Sequence, residues 1–212
     1  MNQRKRRQYE RVSKGLTREN IVFLEYDGTA EKHYLQGLHN ILRDIGIDIS
    51  FSYGEFNATN AKECINNLRK KKSSTHQEGD LLIAICDVDN FDKTDRSGKK
   101  SVLRKAIENA KEEKIHLLIS NVCFEQWLEF HISAKEFSKD QIQKKKFSKL
   151  VKDVEWIKKN IGQAYKRAKA GDDLKLDYPT SYGSRVWQFI DILDKQFPEK
   201  NIISLMKEHS FF

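Results

Sequence analysis

Short apolar segments alternate with amphipathic helical segments over residues 21–132. Apolar runs of this length, bounded by polar residues, are typical of buried or half-buried strands. They predict four strands: 21–24, 47–51, 81–86 and 116–119. Apolar residues at helical spacing predict four helices: about 30–43, from 57 or 59 to 72, 101–113 and from 124 to about 131. This alternation predicts an α/β fold with a mostly parallel sheet covered by helices on both faces.

The pattern changes after residue 133. Residues 134–170 show only helical periodicity, with lysines between the apolar positions, and a Gly-Asp-Asp sequence then interrupts it. Pro179 precedes a further amphipathic helix, and a short helix is predicted near the end of the chain, at 200–209. We therefore predict a flexible basic arm, an α/β domain and a helical extension, with these bounds: 1–20, 21–133 and 134–212.

Positive charge is concentrated in two segments. Residues 1–20 carry a net charge of +5 and residues 141–170 carry +8, although the whole chain carries only +8, so the rest of the chain is acidic. This distribution fits a phosphate-rich partner such as DNA or RNA, whereas the alternative is a lysine-rich helix that is simply solvated. The candidate nucleic-acid contacts are Lys144, Lys145, Lys146 and Lys149.

The sequence argues against several classes of protein. The longest apolar run, Leu81 to Cys86, is far shorter than the ~20 residues that cross a bilayer, and no apolar stretch of a secretory signal follows the basic N-terminus. The three cysteines are scattered and form no CxxC pair, which argues against a disulfide framework and a structural zinc site. We therefore expect a cytoplasmic protein without membrane contact.

Acidic residues follow two of the predicted strands. Glu25 follows the first strand, and Asp87 and Asp89 follow the third, where open α/β sheets bind their ligands. Residues two apart in an extended segment share a face, so both aspartates are predicted to approach one volume, which Glu25 shares if the two strands are neighbours. Gathered carboxylates need a cation, and oxygen ligands favour Mg²⁺ or Mn²⁺. The alternative is that these acids are solvated turn residues.

The acids and their surroundings resemble the Toprim fold and, within it, the RloB-like family. Toprim domains have a Glu after the first strand and an Asp-x-Asp after the third, which Glu25 and residues 87–89 match. The RloB-like pattern is matched by Asp-Gly-Thr-Ala-Glu-Lys-His-Tyr-Leu at 27–35, Ser-Asn-Val-Cys-Phe-Glu-Gln-Trp at 120–127 and Pro-Thr at 179–180. The family turn usually reads Glu-Gly-x-x-Thr-Glu, whereas Gly28 comes three residues after Glu25. Glu25 and Glu31 are therefore alternatives for the first-strand acid.

The resemblance implies a Toprim-like nuclease of prokaryotic antiviral defence or abortive infection, often encoded beside an ATPase partner. It implies that Asp87 and Asp89 hold Mg²⁺ or Mn²⁺, with Glu25 as a further ligand or general base. Glu125 is expected to serve a second metal or to order Asn121 and the start of its helix, where acids are favoured for dipole reasons alone. The catalytic candidates are Glu25, Glu31, Asp87, Asp89 and Glu125.

Two other functions stay open. The chain can be a non-catalytic nucleic-acid-binding or sensor subunit of an ATPase-containing complex, in which the lysines matter and Asp87 does not. It can also catalyse nucleotidyl transfer of the primase kind, although the sequence has no glycine-rich phosphate loop to support this. Lysine side chains contact the phosphate groups, which DNA and RNA share, and not the bases. The lysines therefore do not indicate whether the partner is DNA or RNA.

Overall fold

The computed structural model describes residues 20–54, 58–88, 101–138, 140–179 and 181–212. The predicted site residue Asp89 lies outside these ranges, as does the predicted basic arm apart from Asn20. Five strands are present in the described residues: β1 (Ile21–Tyr26), β2 (Ser50–Tyr53), β3 (Leu81–Asp87), β4 (His116–Asn121) and β5 (Gly183–Ser184). They form one sheet in the order β2-β1-β3-β4-β5, in which only β5 is antiparallel to its neighbour.

Eight α-helices accompany the sheet in the described residues: α1 (Thr29–Asp44), α2 (Ala61–Ser74), α3 (Val102–Glu113), α4 (Glu125–Ile132), α5 (Gln141–Leu150), α6 (Val154–Ala170), α7 (Gln188–Gln196) and α8 (Ile202–Glu208). A 3₁₀ turn, Pro198–Lys200, connects α7 and α8. The predicted fold class, a mostly parallel Toprim-like sheet flanked by helices with further helices at the C-terminal end, is confirmed.

Polar side chains fix where four of the helices begin. Asn60, Ser101, Asp140 and Asp153 each accept a hydrogen bond from a backbone N–H of the first helical turn. Such caps satisfy donors that the helix itself leaves unpaired. The cap at Asn60 explains why α2 begins later than the sequence pattern suggests.

The sheet separates two apolar layers. Helices α2 and α3 pack on one face with the smaller layer, and the larger layer on the other face takes in α1, α4, α6, α7 and α8. Side chains alternate along each strand between the two layers. In β3, Ile83 and Ile85 join the larger layer and Ala84 and Cys86 join the smaller one.

The larger layer is continuous across the predicted boundary at residue 133. It joins side chains of β1 and α1 to Ile157 of α6, Phe189 of α7 and Met206 of α8. Strand β5, which the sequence pattern does not predict, adds to the sheet beside β4. The predicted division into 21–133 and 134–212 is therefore not a division of the core.

The three cysteines, Cys64, Cys86 and Cys123, are free and buried. Within the part of the chain that the structure describes, none of the helices combines the length and the apolar character that crossing a bilayer demands.

Candidate metal centre

Three carboxylates converge at the carboxyl edge of the sheet, and we call Asp27, Glu31 and Asp87 the acidic triad. Each offers an oxygen within 4.8 Å of the others. Asp87 ends β3, Asp27 directly follows β1, and Glu31 lies in the first turn of α1. The Asp27 carboxylate also accepts a hydrogen bond of 3.2 Å from the backbone N–H of Asp87, so it ties two neighbouring strand ends together.

Glu31 lies over a position that has no side chain. A Cβ at Gly28, the residue before α1, would lie 2.2 Å from Glu31 Oε2. Glu31 is only 4% exposed, and its burial, followed by the charge of Asp27, raises its pKa to about 8. Crowded carboxylates of this kind retain a proton or bind a cation. With oxygen donors alone, the triad fits a hard divalent cation such as Mg²⁺ or Mn²⁺.

Glu25 does not join the acidic triad. It is 2% exposed and lies on the other face of the sheet, where its Oε1 is 2.9 Å from Lys71 Nζ and its Oε2 accepts from Asn67 Nδ2 at 3.4 Å. Glu25 pairs with Ala84 in the parallel register, so alternation directs it towards α2. The expectation that Glu25 shares the volume of Asp87 is wrong for this reason.

Of the two alternatives for the first-strand acid, the structure therefore places Glu31 beside Asp87. Glu25 is already paired with Lys71 and lies outside the group of three carboxylates that could share an ion. The reason is local: one strand position decides which face of the sheet a side chain occupies.

Glu125 lies beside the acidic triad without being part of it. Among the described residues, the acids close enough to share one ion are the triad alone. Glu125 begins α4, its side chain is 13% exposed, and its Oε1 is 3.6 Å from Lys144 Nζ of α5. The predicted second-metal role of Glu125 remains a prediction, and its observed partner is a lysine.

A cleft of about 410 Å³ opens between the triad and α5. The α5 residues that line it stand at helical spacings of three and four, on one face of the helix: Gln141, Lys144, Lys145 and Ser148. Two of the four predicted lysines thus lie at the cleft. Lys146 and Lys149 are exposed on the same helix and do not line it.

Lys144 carries its positive charge close to the acids. Burial acts to lower its pKa, but Glu125 and, more weakly, Cys123 and Asp87 raise the pKa above its usual value. The thiol of Cys123 is affected in the same neighbourhood, since burial and then Glu125 raise its pKa far above the usual range. At neutral pH the cleft therefore presents the ammonium group of Lys144, while the Cys123 thiol is buried and protonated.

Ser120 and Asn121, which end β4, are hydrogen-bonded to the C-terminal segment. The Ser120 hydroxyl is hydrogen-bonded to that of Ser184 at 2.8 Å, and Asn121 Nδ2 donates to the carbonyl oxygen of Pro179 at 2.8 Å. Sequence reasoning missed Asp27, which directly follows β1 at the same edge of the sheet where Asp87 ends β3. An acid directly after a neighbouring strand is the signal that could have identified it.

The fold and the site together define an α/β protein with three converging carboxylates at the carboxyl edge of its parallel strands. The model of the RloB-like protein family matches residues 22–193, and the chain belongs to this family. The match spans the acidic triad, Glu125 and α5. No curated protein and no solved structure matches the chain.

Proposed function

We propose that this chain is a divalent-metal-dependent nuclease that hydrolyses phosphodiester bonds of DNA or RNA. One observation supports it above all: the acidic triad lies across a cleft from Lys144 and Lys145. Carboxylates suit a divalent cation, and ammonium groups suit phosphate oxygens, so the cleft combines the charges that phosphoryl chemistry requires. The role in prokaryotic antiviral defence is the one that membership of the RloB-like family suggests.

Asp27, Glu31 and Asp87 would hold Mg²⁺ or Mn²⁺. Such an ion supplies positive charge that polarises the phosphodiester and acidifies water. Glu31 is buried and crowded by Asp27, so it would give up its proton on binding a cation. The residues of α5 then orient the phosphate from the other side of the cleft.

Hydrolysis adds water across one ester bond. The water oxygen bonds to phosphorus while the P–O bond to the leaving sugar oxygen breaks. The water gives a proton to solvent and the leaving oxygen takes one up, so the products are a phosphomonoester and a hydroxyl group. Cys123 does not act as nucleophile in this scheme, because burial and Glu125 raise its pKa and keep the thiol protonated.

Cleavage assays with Mg²⁺ or Mn²⁺ on single-stranded and duplex DNA and RNA test this function. Asp87→Asn keeps the shape of the side chain and removes a ligand charge, so we expect loss of both cleavage and Mn²⁺ binding, the latter measured by electron paramagnetic resonance. Asp48→Asn is the matched control, because Asp48 is exposed beside β2 at the opposite, amino edge of the sheet. Cleavage that survives Asp87→Asn would reject the proposed centre.

In the non-catalytic alternative, the same lysines bind nucleic acid. Charge reversal at Lys144, Lys145, Lys146 and Lys149 abolishes function under either proposal, whereas Asp87→Asn does so only for the nuclease. A wild-type chain that binds nucleic acid and never cleaves it would favour the binding or sensor subunit. The ATPase partner of either form stays a prediction.

A further inference from the structure

We propose that Lys144 contacts the phosphate that reacts, and that Glu125 is its positioning residue. This inference rests on the proposed nuclease function and assigns two roles within that site. It also separates Lys144 from the other lysines of α5, which we expect to contact flanking phosphates.

The first support is the way α5 is anchored. Phe147 is buried, with its ring centroid 5.9 Å from that of Phe137, and Gln143 donates a hydrogen bond to the Glu129 carboxylate of α4. These contacts hold α5 against α4. The helix therefore presents Lys144 to the cleft from a fixed backbone position.

The second support is the ion pair that Lys144 makes. Its Nζ is 3.6 Å from Glu125 Oε1, and the lysine side chain is 45% exposed while the glutamate is 13% exposed. The carboxylate is thus the buried member of the pair and the ammonium is the accessible one. Glu125 holds the ammonium at the edge of the triad and leaves it in reach of a ligand.

The third support is the chemistry of the site. When water attacks a phosphodiester, negative charge grows on the non-bridging and leaving oxygens. The triad, which would hold the cation, lines one part of the cleft, and Lys144 of α5 lines another. A preorganised ammonium there stabilises the transition state more than the ground state, which raises kcat. Glu125 is in turn neutralised by Lys144, which suits a positioning role better than metal ligation.

The experiment compares an oligonucleotide with a small phosphodiester, bis(p-nitrophenyl) phosphate, in Mn²⁺. Lys144→Met removes the charge at similar length, and we expect kcat to fall on the order of 100-fold for both substrates. Mn²⁺ affinity should stay equal or increase, because a positive charge beside the triad is lost. Lys207→Met, an exposed lysine of α8, is the control and should leave both kcat values unchanged.

Glu125→Gln tests the positioning role. We expect kcat to fall for both substrates with Mn²⁺ affinity retained, and the double variant with Lys144→Met to be no slower than Lys144→Met alone. A fall in Mn²⁺ affinity would instead make Glu125 a metal ligand and overturn its assigned role.

Two further outcomes separate the proposals. If Lys144→Met impairs only the oligonucleotide, through KM, then Lys144 is one of several backbone contacts and the inference is wrong while the nuclease stands. If the wild-type chain binds Mn²⁺ and hydrolyses neither substrate, the nuclease proposal fails and this inference fails with it.

Discussion

The position and the ionisation of Glu31 depend on two residues of the short connection between β1 and α1. Gly28 leaves room for the carboxylate, and Asp27 adds the charge that makes its ionisation costly. A buried carboxyl with a like charge beside it is stable when protonated or when a cation lies next to it. The residues of one turn thus determine both the shape and the electrostatics of the candidate centre.

Gly28→Ala should weaken metal binding without removing a ligand. The new Cβ would lie 2.2 Å from Glu31 Oε2, so the carboxylate must move out of the triad. Mn²⁺ titration should show an affinity lower by at least tenfold, which corresponds to about 1.4 kcal/mol. Gly171→Ala is the control, because a Cβ there meets nothing nearer than 3.7 Å. Unchanged Mn²⁺ affinity in Gly28→Ala would argue against Glu31 as a ligand.

The stability of the metal-free protein should fall as pH rises from about 4.5 to about 8. The pKa of Glu31 is raised from 4.5 to about 8, so the folded state holds a proton that the unfolded state has released in this range. Stability therefore decreases with pH, by up to about 1.4 kcal/mol per pH unit, and levels off above the folded pKa.

Urea unfolding in a chelator at several pH values measures this dependence. Glu31→Gln removes the titrating group, so the difference between wild type and variant isolates its contribution. Saturating Mn²⁺ should abolish the fall, because the cation replaces the proton. Parallel pH profiles for wild type and Glu31→Gln would contradict the raised pKa.

At the scale of elements, strand register determines which acids meet. Glu25 and Asp87 both end up at the carboxyl edge, but register places the first towards α2 and the second towards α1. The carboxyl edge of these two neighbouring strands therefore carries two different electrostatic sites, one on the α2 side, where Lys71 pairs with Glu25, and one on the α1 side, formed by the triad. Only the second offers ligands to a cation.

Glu25→Gln should destabilise the fold and leave metal binding unchanged. It breaks an ion pair of 2.9 Å and leaves Lys71, whose side chain is 26% exposed, without its counter-charge. We expect a loss of about 1–3 kcal/mol in the free energy of unfolding, part of which Lys71→Met should restore in the double variant. Glu78→Gln, at an exposed residue, is the control. Loss of Mn²⁺ affinity in Glu25→Gln would return Glu25 to the metal centre.

Local periodicity predicted the long elements because each carries its own signal. The helices α1 and α3 and the central strand β3 agree with the sequence pattern to within one or two residues. Strand β5 has two residues and forms only because Ser184 pairs with Ser120, a contact that no local pattern encodes. Asp27 and Glu31, not Glu25, lie beside Asp87 for a similar reason, since the face of the sheet that a side chain at a strand's end occupies depends on the neighbouring strands. The convergence of carboxylates at this edge of the sheet was predictable, and the choice of acids was not.

At the scale of the whole molecule, the C-terminal helices complete the core beneath the site. Trp156 of α6 stacks on His131 of α4 with ring centroids 4.9 Å apart, and Arg167 donates to the carbonyl oxygen of Phe130 at 2.8 Å. Phe189 of α7 contacts Phe51 of β2, with ring centroids 5.9 Å apart. The helices after residue 133 therefore support the same layer that carries α1 and Glu31.

A fragment that ends at Ser133 should fail to fold cooperatively. It would expose the larger apolar layer and lack the partners of His131 and Phe51, and burial of such surface supplies most of the free energy of folding. Urea unfolding followed by circular dichroism should show no sigmoidal transition for the fragment alone. Addition of the separately produced segment 134–212 should restore a transition and Mn²⁺ binding, because the two pieces rebuild one core. A fragment that unfolds cooperatively with the midpoint of the full chain would show instead that residues 21–133 fold independently.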